Sequence, residues 1–339
     1  MSQNNGDNPS NSGTEILLAD NLRKVYEARP ALKGLSFSLK AGRVMGFLGP
    51  NGAGKTTAIR ILTTILEPTS GHFFVDGISS DYPEKIRSKI GVLPESLGFS
   101  KQNTGLECLI YFGQLYGRST AEAKAHALGL LEEVGMQQRA RSLIGTYSRG
   151  MRQRLGIARA LVNDPRVVFL DEPTLGLDPR GQQELHVLVR RIAQQRNAGV
   201  ILCSHLLSET EGVCDDVIIM SVGQVVAAGT MSGVVGQTQG NAIQRNIIRI
   251  RVPPPSVEAA QNILVALPNI KEITAPSEMA GWLRIELVDS LKGASPEEHK
   301  VKNGILDTLI RAEIPVLGLE AEGGRLQDVF LQLTQEAIV

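Results

Sequence analysis

One nine-residue stretch, 49–57, restricts this chain to a small set of folds because it matches the pattern Gly-x-x-x-x-Gly-Lys-Ser/Thr. A short apolar run at 44–48 precedes it, and a segment at 58–62 without Gly or Pro follows it. This order of strand, loop and helix is the context that the pattern requires. Glycines let a backbone turn tightly with its N–H groups pointing at an anion, and a helix N-terminus adds partial positive charge. We therefore predict a loop that binds nucleotide phosphates, rather than a glycine-rich turn that fits by chance.

Two side chains of this loop have distinct predicted roles. The ammonium group of Lys55 supplies a point charge for the β- and γ-phosphates, and the Thr56 hydroxyl is a hard oxygen ligand for Mg²⁺. The predicted nucleotide contacts in the loop are Gly49, Pro50, Asn51, Gly52, Ala53, Gly54, Lys55, Thr56 and Thr57.

Two carboxylates, Asp171 and Glu172, follow the apolar run at 167–170. In an open parallel sheet the carboxyl edge of the strands is where ligands bind. We expect Asp171 to hold Mg²⁺, directly or through water, and Glu172 to polarise an attacking water. A general base of this kind contributes roughly 10²–10⁴-fold to a rate. The alternative is that the two carboxylates are solvated side chains at a strand end and bind nothing. The presence of the phosphate loop in the same chain makes this alternative less favoured.

Strand-like and helical segments alternate around these motifs. Apolar runs at 167–170 and 200–204 flank a helical segment at 181–197, and the runs at 217–220 and 225–228 are typical of a hairpin. Apolar strands alternating with helices indicate a parallel sheet covered on both faces. We predict an α/β fold, with a P-loop NTPase core that carries an antiparallel β subdomain and a helical insert.

The helical insert is expected at about 95–162. Thr104 with Glu107, and Ser119 with Glu122, have the spacing of capping boxes that begin helices.

Composition shifts divide the chain further. We interpret the polar stretch 1–13 as a disordered tail and the Gly-, Gln- and Asn-rich stretch 232–246 as a linker. Residues 14–231 then form the nucleotide-binding unit. The order β-α-β-β-α-β-α across 247–339 predicts a small α+β domain of ferredoxin-like type. Its segments are strands at 247–252, 282–288 and 315–319, helices at 257–267 and around 301–309, and a last helical stripe at 326–333.

An ordered set of motifs across 17–229 resembles the ATPase cassette of the ABC transporter superfamily. The stretch Tyr147-Ser148-Arg149-Gly150-Met151 is similar to the family signature, which typically reads Leu-Ser-Gly-Gly-Gln. Residues 176–178 resemble the D-loop, and 204–205 the loop that ends in a switch histidine.

The resemblance implies a role for each of these residues. Ser148 and Gly150 are expected to contact the γ-phosphate of an ATP held by a second cassette, and Asp178 to lie in the D-loop. His205 is expected to contact the γ-phosphate, although a lone histidine after an apolar strand is often structural. Tyr26 is expected to stack on adenine, with a buried core tyrosine as the alternative.

The chain departs from the family pattern at several positions. Tyr147, Arg149 and Met151 stand where Leu, Gly and Gln are usual, and Glu95 stands where most relatives carry glutamine. Glu95 remains an oxygen ligand for Mg²⁺ or water, but it adds negative charge beside the phosphates.

The expected cofactors and partners follow from the resemblance. They are ATP with Mg²⁺, a second ATPase cassette in a homodimer, and an integral membrane permease subunit. The chain itself is expected to be cytoplasmic and peripheral on the cytoplasmic face of the cell membrane. No nucleic acid is expected, because 35 basic residues balance 35 acidic ones. No apolar stretch approaches the ~20 residues of a membrane span. The three cysteines lack metal or redox spacing and are expected to be reduced packing residues.

The leading hypothesis is an ATP-hydrolysing subunit that energises an exporter of drug, lipid or polysaccharide type, because 325–331 resembles the tail of such cassettes. A soluble ABC ATPase acting on ribosomes or DNA is the alternative. A small GTPase or kinase is a third, but we find no Asn-Lys-x-Asp guanine motif.

Overall fold

The computed structural model describes residues 14–204, 210–234, 247–276, 280–288 and 296–321. They belong to two compact units, which divide between Met231 and Ser232. Several predicted features lie outside the described residues: the tail at 1–13, His205, most of the linker (235–246) and the helical stripe at 326–333.

The first unit contains ten strands, and six α-helices of this unit lie wholly within the described ranges. The strands are β1 Glu15–Tyr26, β2 Arg29–Lys40, β3 Val44–Leu48, β4 Ser70–Val75, β5 Ile78–Ser79, β6 Ile90–Leu93, β7 Val167–Asp171, β8 Gly199–Cys203, β9 Asp216–Ser221 and β10 Gln224–Thr230. The α-helices are α1 Lys55–Leu62, α2 Pro83–Arg87, α3 Gly105–Leu115, α4 Thr120–Glu133, α5 Arg149–Ala160 and α6 Pro179–Arg196.

The central sheet of this unit has the strand order β10-β9-β3-β8-β7-β6. Its neighbouring pairs are parallel except β10, which forms an antiparallel hairpin with β9. This confirms the predicted parallel sheet and hairpin. Because parallel strands end at the same edge, β3, β7 and β8 deliver the phosphate loop, Asp171 and Cys203 to one place; Cys203 is the register partner of both Phe47 and Asp171.

Both faces of the central sheet are covered, as the apolar runs predicted. Alternate residues of β7 enter different cores: Val168 and Leu170 pack with the helices, and Phe169 packs toward the second sheet. Phe169 is fully buried, which contributes roughly 1.5–3 kcal/mol for a side chain of this size. The packing on both faces fixes the strand ends that carry the site.

The second sheet of this unit is antiparallel, with order β2-β1-β4-β5. It confirms the predicted antiparallel β subdomain. Leu35 and Leu39 of β2 are buried, while Ser36 between them is exposed, in agreement with their alternation in the sequence.

The helical insert begins its helices where the sequence predicted. Thr104 and Glu107 form a reciprocal capping box at α3, and Ser119 and Glu122 form a second at α4. Each box satisfies two backbone N–H groups that a helix start leaves unpaired. These local contacts explain why the helix starts were readable without tertiary information.

The second unit contains strands and helices in the order β-α-β-β-α-β. They are β11 Ile247–Arg251, α7 Val257–Leu264, β12 Ile270–Thr274, β13 Trp282–Leu287, α8 Pro296–Arg311 and β14 Gly318–Ala321. The sheet is antiparallel with order β12-β13-β11-β14. Leu283, Ile285 and Leu287 are fully buried, which confirms that they share one face of the sheet.

Two details of this unit differ from the sequence interpretation. The strand predicted at 315–319 begins at Gly318 instead. Pro315 has no N–H to donate. Backbone pairing with β11 starts only at Leu317, whose N–H donates to Arg251 O at 2.7 Å. The sequence interpretation assigned no residues to β12, whose Ile-Lys-Glu-Ile-Thr pattern lacks regular alternation.

The described helices include none that is both long enough and apolar enough to cross a bilayer.

We expect Gly91→Ala to destabilise the first unit, because β6 and the end of α5 leave no room for a side chain there. A Cβ at position 91 would lie 2.8 Å from the carbonyl carbon of Ala160 and closer still to its oxygen. The expected loss in free energy of unfolding is about 1–3 kcal/mol, measured by urea unfolding. Gly129→Ala in α4 is the matched control, since no described atom lies within 4 Å of its added Cβ. It should stabilise by about 0.5–1 kcal/mol. Equal stability of the two variants would contradict this packing.

Candidate functional site

The phosphate loop connects β3 to α1 through backbone conformations that favour glycine. Gly52 and Gly54 have φ of 82° and 102°, in the left-handed region. A Cβ at Gly54 would also lie 2.7 Å from the carbonyl oxygen of Ala31 on β2. The glycines therefore meet a conformational and a packing requirement, and α1 starts immediately after them.

Lys55 is buried at the base of this loop, with 9% of its surface exposed. Its ammonium group donates to the carbonyl oxygens of Gly49 and, at 3.2 Å, Pro50. Burial lowers the pKa of Lys55, and the nearby carboxylates of Glu172 and Asp171 act in the opposite direction. The ammonium group is thus held between the loop and the acids at the strand ends.

The two acids predicted from the sequence, Asp171 and Glu172, lie near this lysine. Asp171 ends β7, and Glu172 follows with φ of 47° and donates its N–H to Cys203 O at 3.0 Å. Burial raises the pKa of Asp171, and the charges of Glu172 and Glu95 raise it further, while Lys55 and Arg60 lower it. Burial and two nearby carboxylates therefore disfavour the charged form of Asp171 in spite of two cations, and a bound metal cation would relieve this.

These donors fit a magnesium ion bound together with a nucleotide. Thr56 is exposed in the first turn of α1, and Glu95 is exposed just after β6. Among the described residues, no cluster of three or more His, Cys, Asp or Glu side chains is placed to hold a metal. Mg²⁺ is usually held by one or two carboxylates together with phosphate oxygens and waters, and hydroxyl and carboxylate oxygens suit that chemistry.

The signature residues lie at the start of α5. Ser148 is its N-cap, and its hydroxyl accepts the N–H of Met151 at 3.2 Å. Tyr147 is buried, and its hydroxyl donates to Arg139 O at 2.6 Å, which satisfies the polar group that replaces the usual leucine side chain. The substitution at 147 is therefore accommodated by the insert and does not alter the exposed Ser148.

Asp178 caps the next helix in the same way. It is the N-cap of α6, and its carboxylate accepts the N–H of Gly181 at 3.2 Å. The segment between Glu172 and Asp178 is a compact turn, because Leu175 N–H donates to Glu172 O at 3.2 Å and Leu177 N–H donates to Thr174 O at 3.0 Å.

Tyr26 ends β1 with 42% of its surface exposed, so the alternative of a buried core tyrosine is wrong. The Lys24 ammonium lies 5.5 Å from the centre of its ring. His205 lies outside the described residues; Ser204 before it is buried, and its N–H donates to Phe47 O at 3.4 Å.

The cysteines are free and buried, as expected. Burial raises the pKa of the Cys203 thiol well above its ordinary value, so this residue at the site's edge stays a neutral packing group.

Sequence reasoning missed the contribution of two arginines. Arg149 and Arg152 line a cavity of about 460 Å³ together with Glu95 and Glu172. Arg152 also donates to Tyr147 O at 2.7 Å and so holds the turn that presents Ser148. Arg149 was recognised only as a departure from the signature; its position in the cavity depends on tertiary packing that no local pattern reports.

A glycine-rich loop after the buried parallel strand β3, a buried lysine at its base and acids at the same edge of the sheet, at the end of β7, define a P-loop NTPase. The family model described as "ABC transporter" matches residues 32–175. The linearmycin resistance ATP-binding protein LnrL of Bacillus subtilis (strain 168) is 31% identical over 94% of this chain and 98% of its own length. The daunorubicin/doxorubicin resistance ATP-binding protein DrrA of Streptomyces peucetius is 32% identical over 95% of this chain and 93% of its own length.

A solved dimer of the ATP-binding cassette MJ0796, in a post-hydrolysis state with ADP and Pi, is 25% identical and superposes with a TM-score of 0.58 over 64% of this chain and 99% of that one. The chain therefore belongs to the ABC transporter ATP-binding proteins, which confirms the family and the P-loop NTPase fold predicted from its motifs. It is an ATP-binding protein and an ATPase.

We expect Asp171→Asn to raise the stability of the nucleotide-free protein at pH 7. The raised pKa of Asp171 means that ionisation opposes folding at every pH above its unfolded value of about 3.9. This loss in free energy of unfolding is complete above the folded pKa of Asp171 and disappears as the pH falls toward 4. Urea unfolding should therefore give Asp171→Asn a higher free energy of unfolding than the wild type at pH 7, and a smaller difference at pH 4.

Asp178→Asn is the matched control for this comparison. Asparagine caps a helix as well as aspartate does, and Asp178 is exposed. A loss of stability in Asp171→Asn at pH 7 would contradict the crowding of carboxylates around Lys55.

Proposed function

We propose that two copies of this chain close on two ATP molecules and that this closure energises an ABC exporter. The observation that best supports this closure is the position of the signature residues. Ser148 is exposed, and the only described atom within 4 Å of a Cβ added at Gly150 belongs to Leu177, at 3.7 Å. The start of α5 is therefore accessible, and we propose that it receives the γ-phosphate held by a second copy.

Within one copy, the described geometry supports a separate binding role for each group around the nucleotide. The exposed ring of Tyr26 offers a stacking surface for adenine, worth roughly 1–3 kcal/mol for one base. The loop N–H groups and Lys55 hold the phosphates. Thr56, Asp171 and Glu95 would hold Mg²⁺, which neutralises charge on the β- and γ-phosphates when bound.

The reaction itself is assigned to Glu172. Its carboxylate follows the strand end beside Asp171, where it can orient and polarise a water molecule for attack on the γ-phosphate. His205 is proposed to contact the same phosphate, on the strength of its position in the motif. Asp178 of the D-loop is proposed to lie at the interface of the two copies.

The exporter branch is proposed from the whole-length relatives. LnrL and DrrA, both named for drug resistance, align with more than nine tenths of this chain, so the second unit is included. We propose a separate integral membrane permease as partner, with transported compounds of drug, lipid or polysaccharide type. This chain would then lie at the cytoplasmic face of the membrane, with residues 14–231 as the ATPase unit, 232–246 as linker and 247–339 as the accessory domain.

We expect Glu172→Gln to bind ATP without hydrolysing it and to accumulate as a dimer. The variant keeps the shape of the side chain but removes the carboxylate base. Size-exclusion chromatography with and without ATP measures the shift. Lys55→Ala in the same background should remain monomeric, because the phosphates lose their buried point charge. A Glu172→Gln protein that stays monomeric at saturating ATP would overturn the proposal.

Ser148→Asp separates the role of this residue in contacting phosphate from its role in capping α5. Aspartate caps a helix as well as serine does, but it places a negative charge where the partner's γ-phosphate would lie. We expect normal thermal stability and loss of the ATP-dependent dimer in the Glu172→Gln background. Ser119→Asp, at the start of α4, is the control and should still dimerise. Dimerisation of both variants alike would show that Ser148 does not face a phosphate.

Pull-down of the tagged chain from detergent-solubilised membranes tests the transport assignment. Recovery of a membrane permease supports it, whereas recovery of ribosomal RNA without one favours the soluble alternative.

A further inference from the structure

The guanidinium group of Arg149 lies directly against Gly176. A Cβ added at Gly176 would lie 2.9 Å from Nε of Arg149, and closer still to Nη1 and Cζ. Gly176 also has a φ of 71°, in the left-handed region. A side chain at 176 would therefore displace the guanidinium group, and the left-handed backbone conformation favours glycine at this position.

This contact joins two functional segments of one chain. Arg149 is the first residue of α5 and directly follows Ser148. Gly176 lies inside the turn between Glu172 and Asp178. The next signature residue, Gly150, lies beside the next residue of the turn, because a Cβ added at Gly150 would be 3.7 Å from a methyl group of Leu177. The start of α5 and the turn are therefore adjacent, and Arg149 supplies the close contact between them.

The arginine also lines a cavity that carries charges of both signs, since Lys101 and Arg152 line it as well. Glu95 and Glu172 line the same cavity of about 460 Å³ as Arg149. An arginine remains ionised throughout the accessible pH range. Two departures from the family pattern, Glu95 and Arg149, therefore place opposite charges around one space.

We propose that Arg149 is a positioning residue, which couples the signature loop to the 172–178 turn of the same chain. Engagement of Ser148 with the partner's ATP would then be transmitted through the Arg149–Gly176 contact to Glu172 and Asp178. This inference rests on the proposed closure of two copies around ATP. It differs from a role as a direct phosphate contact, because the planar guanidinium acts here through packing on the turn.

The test compares Arg149→Ala, Arg149→Lys, Gly176→Ala and the double variant Arg149→Ala/Gly176→Ala. Gly117→Ala is the matched control for backbone strain, with a φ of 84° and no described atom within 4 Å of its added Cβ. Steady-state ATPase assays give kcat and KM, and thermal unfolding reports whether each variant folds.

We expect Arg149→Ala and Gly176→Ala each to lower kcat about fivefold with KM for ATP changed less than about twofold, because the contact acts after binding. The double variant should be no slower than the single ones. Arg149→Lys should recover little, since lysine has the charge without the planar group, and Gly117→Ala should keep the wild-type kcat.

Three results would overturn the coupling: a wild-type kcat in Arg149→Ala, losses that multiply in the double variant, or full rescue by lysine, which would indicate a role for charge alone. If Gly176→Ala fails to fold, the kcat values of Arg149→Ala and Arg149→Lys still test the coupling. ATP-dependent dimerisation of Glu172→Gln alone tests the closure itself, so its loss identifies failure of the proposed function and not of the coupling.

Discussion

The site depends on the electrostatic balance around the ammonium group of Lys55. Burial disfavours this charge, while the loop carbonyls of Gly49 and Pro50 accept its hydrogen bonds. Asp171, Glu172 and Glu95 add negative charge at the ends of β7 and β6, on the same edge of the sheet. The ionised form of Asp171 is costly in this cluster, and a bound nucleotide with its cation would supply compensating charges. The folded chain therefore holds a charge arrangement suited to its ligand at some expense in stability.

Ser148 combines a local and a proposed functional role through the same group. Its hydroxyl oxygen accepts one backbone N–H and begins α5, which leaves the hydroxyl proton available to a phosphate oxygen. The aligned N–H groups of the first helical turn add partial positive charge. The residue that starts the helix would thus also prepare the proposed anion site, whereas Asp178 caps α6 with a similar hydrogen bond but carries a negative charge itself.

Local signals determined how much could be predicted from the sequence. The phosphate loop, the capping boxes at Thr104 and Ser119 and the alternation in β13 depend on near neighbours in the chain, so the sequence alone predicts each of them. The sheet orders, the late start of β14 at Gly318 and the strand β12 depend on pairing between distant segments. The contact of Arg149 with Gly176 joins residues 27 positions apart, so the sequence shows the substitution but not its consequence.

The central claim is that each nucleotide is enclosed by the phosphate loop of one copy and the signature loop of another. Mixing two inactive variants tests it most directly: Lys55→Ala lacks a working phosphate loop, and Ser148→Asp lacks a working signature. A mixed dimer unites the intact loop of one with the intact signature of the other. The account predicts ATPase activity in the mixture that exceeds that of either variant and peaks at equal proportions. Activity equal to the weighted mean of the two variants at every proportion would contradict it.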